Sequence, residues 1–144
     1  MNSSQNEYLL LFKGGDWHSR LPDAEFQQTM SKLSAWFEQL ASQGKVKGGQ
    51  ALASEGSILS RKNAMVLSDG PFVETKETIG GYLLVTADSL AEAVALAKTN
   101  PSLEYGTQVE VRPVIAECPA MTRMKKLNPE WDFAPAPALA PAEA

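Results

Sequence analysis

Apolar residues recur along this chain in two rhythms, near-alternation and steps of three and four, and the switches between them mark out the elements. Tyr8-Leu9-Leu10-Leu11-Phe12 is a short apolar run closed by Gly14-Gly15. Such a run fits a strand buried on both faces or a piece of buried helix; its shortness and the glycines favour the strand. After the polar loop Asp16-Trp17-His18-Ser19-Arg20, Pro22 suits the first turn of a helix, with Asp23 and Glu25 well placed for its dipole. Phe26, Met30, Leu33, Phe37 and Leu40 make one amphipathic stripe, widened by Trp36, and Gly44 fits a C-terminal cap. The spacing predicts a helix over 22–43. Val46 to Ser54 reads as a strand weakened by Gly48-Gly49, and Ser57–Ser60 with Ala64–Leu67 as a small hairpin. Ile79 to Val85 is a further strand whose apolar residues are not confined to alternate positions. Ser89 with Glu92 forms a capping box that opens a helix through Leu90, Val94 and Ala97, and Asn100-Pro101 stops it. Gln108 to Arg112 alternates cleanly, with Pro113 at the strand's end or on a sheet edge. From Glu117 onward the pattern dissolves.

The resulting order is β-α-β-β-α-β with an inserted hairpin, the ferredoxin-like α+β pattern. Its antiparallel sheet sets the first and third main strands side by side in the centre, with two helices on one face. Those central runs, 8–12 and 79–85, are the most apolar in the chain. A sheet covered on one side only would leave large side chains wet, and a contiguous patch of that kind marks an interaction surface. At about 25 cal/mol per Å² its burial is strongly favourable. The simplest cover is a second copy across a two-fold axis. The same topology brings Trp17 and His18 to the sheet edge that holds Asp69–Glu77 and the start of the last strand, Tyr105–Thr107.

Length and composition bound the rest. The 144 residues suit one domain, expected over 7–116, followed by an extension over 117–144 whose end, 134–144, is Ala/Pro-rich and cannot pack a core. Trp131 and Phe133 are candidates to dock that tail on the body or on a second subunit. A net charge of −4 argues against nucleic acid as a partner; Arg123, Lys125 and Lys126 read as a solvated surface. The single cysteine, Cys118, offers neither a disulfide nor a paired metal thiolate. No apolar run is long enough for a signal peptide or membrane span, so cytoplasmic residence is the default expectation.

Chemistry concentrates in Ser68-Asp69-Gly70-Pro71-Phe72-Val73-Glu74-Thr75-Lys76-Glu77. A turn aspartate usually accepts from the backbone N–H two residues on, and Pro71 has none. The Asp69 carboxylate then reaches Phe72 or beyond, binds solvent, or stays free for a ligand. The stretch is either a rigid loop leading into a strand or an acidic wall of a pocket.

The run SDGPFVETKETIGGYLLV, Ser68 to Val85, together with YLLLFKG, GKVKGGQAL and the closing YGTQVEVRPV, resembles the DGPF subgroup of YCII-related proteins. The resemblance covers most of the chain. It implies a ferredoxin-like fold paired into a dimeric α/β barrel, and a ligand pocket with a His–Asp pair. The family's histidine belongs on the first helix, whereas the only histidine here, His18, lies in the preceding loop. The resemblance also implies an association with extracytoplasmic-function sigma factors.

Two functional readings stand beside each other. In the first, Asp69 is a general base or ligand anchor partnered by His18, Glu74 or Glu77, on a small organic substrate. Trp17, Gly70, Pro71, Phe72, Glu74, Lys76, Glu77, Tyr82 and Arg112 then line the ligand site, Lys76 and Arg112 suiting an anion. In the second, the chain is a non-catalytic binding or regulatory module. Surface roles compete at each position: His18 as a loop residue, Glu74, Lys76 and Glu77 as a solvated turn, Arg112 as a partner of Glu110, Tyr82 as core. No cofactor and no metal is expected, since one histidine and one cysteine give no zinc spacing.

Overall fold

The computed structural model describes residues 6–69 and 78–132, and at 67–69 it describes the backbone alone. The chain divides into two compact units, one through Val114 and one from Ile115 onward.

In the first unit β1 (Asn6–Lys13) leads through a 3₁₀ turn (Gly15–Arg20) into α1 (Asp23–Ser42) and β2 (Val46–Ala51). The hairpin β3 (Ile58–Lys62) and β4 (Met65–Asp69) follows, then β5 (Ile79–Ala87), α2 (Leu90–Lys98), a second 3₁₀ turn (Pro101–Tyr105) and β6 (Gln108–Pro113). The four-stranded sheet runs β2-β5-β1-β6, all antiparallel, so the first and third main strands do lie in the centre. This is the ferredoxin-like arrangement with β3–β4 as an insertion that pairs only with itself.

Register sets which side chains meet. Tyr8 lies opposite Val85, Leu10 opposite Leu83 and Phe12 opposite Gly81. Because side chains alternate across a strand, these share one face, and that face carries the core. Tyr8, Leu10, Leu83, Val85 and Ala87 pack there with Leu40 of α1 and Ala93, Leu96 and Ala97 of α2. The other face presents Leu9, Leu11 and Leu84, which stay partly exposed.

The two helices meet the sheet differently. Small Ala93 and Ala97 let α2 settle close on β5, β6 and β1. The close backbone approaches of α1 are instead to the second 3₁₀ turn. Its inward face is Phe26, Thr29, Leu33, Trp36 and Leu40; Met30 and Phe37, expected within the stripe, sit on its exposed edge. Trp36 is anchored by its indole N–H, which donates to Thr99 Oγ1 at 2.8 Å.

Local signals decide the boundaries. Pro22 stands just before α1 as its N-cap. At the other end Gly44, at φ 73°, closes the helix in a Schellman turn: Gly44 N–H donates to the Ala41 carbonyl and Lys45 N–H to that of Leu40, each at 3.0 Å. The α2 capping box forms in part, Glu92 N–H donating to Ser89 Oγ at 3.1 Å while Glu92 Oε1 accepts from Asp88 N–H.

Three expectations change. The strand expected over 46–54 ends at Ala51, and Gly49 is a requirement rather than a weakness: a Cβ there would lie 2.6 Å from the Tyr82 carbonyl oxygen. The hairpin extends past Leu67 to Asp69, which pairs with Ile58 at the end of β4, and the turn expected to follow Asp69 lies outside the described residues. And in the second unit the stretch after Glu117 is not patternless. Pro119–Leu127 forms a helix, α3, with Pro119 in the first turn, where its missing N–H costs nothing. Within that unit Lys125 Nζ meets Glu117 Oε2 at 2.8 Å, so one of the basic trio is ion-paired, while Arg123 and Lys126 are exposed. Phe133 lies outside the described residues.

Among the described residues no helix is long and apolar enough to cross a membrane.

Candidate functional site

The space left under α1 is a cavity of about 910 Å³. Leu33, Trp36 and Phe37 of α1 roof it, Phe12 and Lys13 close it where β1 ends, and β2 and the start of β5 supply a wall that includes Gly48, Gly49, Gly80 and Gly81. At those four glycines the backbone itself borders the cavity. Asn100, Ser102 and Thr107 form a polar end.

Trp17 and His18 also border the cavity, carried there by the 3₁₀ turn after β1. Trp17 is 9% exposed and stacks on Tyr105, ring centres 5.7 Å apart and planes 15° apart. The His18 ring meets Trp17 edge-on at 6.0 Å and is itself exposed. The Tyr105 hydroxyl lies 3.2 Å from both Thr29 Oγ1 and Glu25 Oε2 of α1, and Arg20 donates to its backbone carbonyl at 3.2 Å. Residues from 17 to 107 thus converge on one end of the site.

The polar end is built by the chain that stops α2. Asn100 Oδ1 accepts from Ser102 N–H at 2.8 Å and from its hydroxyl at 2.7 Å. Asn100, Ser102 and Thr107 are all at least 94% buried, with exposures of 5%, 5% and 6%.

Charge at the site is sparse. Among the described lining residues there is no carboxylate; Lys13 and Tyr82 border the cavity from strand positions that alternate with Phe12 and Leu83 and so share the other sheet face, which leaves His18 as its ionisable side chain. Lys13 Nζ reaches Glu110 Oε1 at 2.7 Å. That hydrogen bond, with the lysine's charge and a smaller contribution from Arg112, holds the Glu110 carboxyl below the usual carboxylate range. Among the described residues no group of three or more His, Cys, Asp or Glu side chains could hold a metal ion.

Of the residues singled out from sequence, Trp17, His18 and Tyr82 border the cavity. Arg112 does not; it is exposed and ion-pairs Glu110 at 3.7 Å. Gly70, Pro71, Phe72, Glu74, Lys76 and Glu77 lie outside the described residues, as does the side chain of Asp69. Thr78, where description resumes, borders the cavity, and its carbonyl accepts from Gly14 N–H at 3.4 Å. Sequence reasoning brought Thr107 to this edge with Tyr105 but gave it no role, and it missed Asn100 and Ser102. Asn100 did carry a signal, an Asn two residues before a Ser at a helix end, but it read only as a stop.

The model of the YCII-related domain matches residues 7–117. The chain belongs to the YCII-related family. No curated protein matches it. Among solved structures, this YCII-related chain is similar to 5-chloro-2-hydroxyhydroquinone dehydrochlorinase (TftG) from Burkholderia phenoliruptrix AC1100, in complex with 2,5-dihydroxybenzoquinone. The identity is 18% over 77% of this chain and 95% of that one, with a TM-score of 0.44, a likeness too distant to carry residues or substrate across.

Proposed function

We propose that this YCII-related protein binds a small organic molecule in the cavity under α1, and that Asp69 and His18 perform acid–base chemistry on it. The observation that carries the reading is the cavity itself, aromatic along its roof and polar at one buried end, the composition typical of small-molecule sites. His18, Trp17 and Thr78, the residue that follows Glu77 in sequence, border that cavity. A carboxylate is absent from the described walls, so the acidic partner in this reading comes from Asp69, with Glu74 and Glu77 tuning it and Lys76 attracting anionic substrates. The motif with Gly70, Pro71 and Phe72 supports membership of the DGPF subgroup.

The protein acts as a homodimer in this reading. Leu9, Leu11 and Leu84 leave one sheet face partly exposed, and Ile58, Leu59, Met65 and Val66 of the hairpin are 54–67% exposed. Surfaces of this kind favour a partner, and a second copy joins them symmetrically.

The test is a metabolite screen by thermal shift on the intact protein, followed by turnover of each hit. Asp69→Asn is expected to abolish turnover of a hit while its melting temperature and dimeric state stay those of the parent. Loss of stability with full retention of ligand binding would instead make Asp69 structural.

A further inference from the structure

Every residue from Lys47 to Val66 is exposed, although the stretch holds most of an edge strand of the main sheet and the turn of a hairpin. Two strand edges in it lack partners among the described residues: β2 has β5 as its one neighbour, and β3–β4 pairs only with itself. A two-stranded hairpin is marginal alone, and this one leaves Ile58, Leu59, Met65 and Val66 each more than half exposed. Edge strands are commonly guarded by charge or proline. At the opposite edge β6 carries Glu110, Arg112 and Pro113, whereas Gly48-Gly49-Gln50-Ala51-Leu52 carries neither.

The two free edges match. Leu52 N–H donates to the Gly80 carbonyl at 2.9 Å, so by alternation Gln50 also bonds β5, while the N–H and C=O of Gly49 and Ala51 point away from it. In the hairpin Lys62 and Met65 pair across the turn Asn63-Ala64. Ser60 and Ile58 therefore bond β4, and the backbone groups of Leu59 and Arg61 point outward. Antiparallel addition of β3 to β2 sets Gly49 opposite Arg61 and Ala51 opposite Leu59, each pair exchanging both backbone bonds.

We propose that two copies of this chain exchange hairpins, β3 of each adding to the β2 edge of the other, and that the cavity is completed across this contact. The proposal rests on the homodimer reading above and deepens it. Pairing β2 with β2, or β3 with β3, would leave the other edge open; the exchange occupies both in each copy and closes on a two-fold axis. With roughly 60 Å² still wet on each of the four apolar side chains, two copies and the surfaces they meet bury about 1,000 Å², the size at which a specific interface begins. Gly49 and Ala51 lie opposite Leu83 and Gly81, on the sheet face that carries the core, and both border the cavity. Opposite residues share a face, so the partner's Leu59 and the partner's Arg61 join that wall.

The experiment uses the full-length protein with Cys118→Ser, carrying either Gln50→Cys or Ser60→Cys. In the exchange these two positions face each other between the bonded pairs, at the close spacing a disulfide needs. Co-expressed and oxidised, the two variants are expected to give a disulfide-linked dimer that neither gives alone. In that dimer acrylamide is expected to quench the cavity tryptophans, Trp17 and Trp36, less than in Leu59→Lys; equal quenching overturns the shared wall. A dimer by sedimentation with no mixed disulfide overturns the exchange and leaves the homodimer reading standing. A disulfide from Gln50→Cys alone assigns the edge to a β2–β2 contact and overturns the exchange as well. A parent protein that sediments as a monomer overturns both readings.

Discussion

The indole of Trp17 lies nearly parallel to the ring of Tyr105, centres 5.7 Å apart, and the Tyr105 hydroxyl reaches Thr29 and Glu25 on α1. One stacked pair therefore ties the turn after β1, the start of α1 and the entry to β6 into a single end wall for the cavity. Tyr105→Phe removes the hydroxyl contacts alone and is expected to cost about 1 kcal/mol. Tyr105→Leu removes the stack as well, with a larger loss and a red-shifted tryptophan emission. Urea denaturation followed by fluorescence checks both; equal stability of the two variants would show that the stack contributes nothing.

Adjacent glycines in β2 are expected to behave oppositely. A Cβ on Gly49 would meet the Tyr82 carbonyl oxygen at 2.6 Å and Leu83 Cδ1 at 2.9 Å, whereas one on Gly48 has nothing within 4 Å. Gly49→Ala forces backbone movement and should destabilise by about 1–3 kcal/mol. Gly48→Ala should be neutral or stabilising, since it restricts the unfolded chain. Melting temperatures measured side by side decide the matter.

The Lys13–Glu110 pair gives a pH dependence with a definite sign. Glu110 titrates below its ordinary 4.5 in the folded protein. The stability it contributes is present above that unfolded value and is lost as pH falls through the depressed folded value. Lys13→Met is expected to raise the Glu110 carboxyl toward 4.5, leaving the smaller pull of Arg112, and to flatten that part of the acid limb. Carboxyl ¹³C shifts followed against pH report it; an unmoved Glu110 would remove Lys13 as the cause.

The two apolar surfaces separate in a dimerisation test. Leu59→Lys changes the hairpin, where Leu59 is 67% exposed, and Leu84→Lys changes the open sheet face. Sedimentation of the parent protein is expected to show a dimer, and each substitution is expected to shift it toward monomer if its own surface is buried between copies. A parent protein that sediments as a monomer at all concentrations overturns the pairing.

The elements were legible because each is set by neighbours in sequence. Gly44 closes α1 because only local backbone geometry is at issue, and Ser89 with Glu92 opens α2 for the same reason. The order of those elements was enough to place β1 beside β5, since a β-α-β-β-α-β chain has few ways to pair. Local chemistry misled in places: the stretch from Glu117 reads as patternless because the position of Pro119 relative to a helix start is invisible until the helix exists. Likewise the second hairpin strand reads as ending at Leu67, because the length of β4 is fixed by pairing with β3.

What the site contains was decided by the tertiary structure. Trp36 borders the cavity half-buried while Phe37, which borders it too, is more exposed, and α1 is tied across the fold by the Trp36–Thr99 and Thr29–Tyr105 contacts. The open edges of β2 and β3 became notable only through the strand pairing. Periodicity along a chain records which faces are apolar; it does not record how far a helix stands from its sheet. Here small alanines bring α2 close, and the bulky rings of α1 border the cavity that remains.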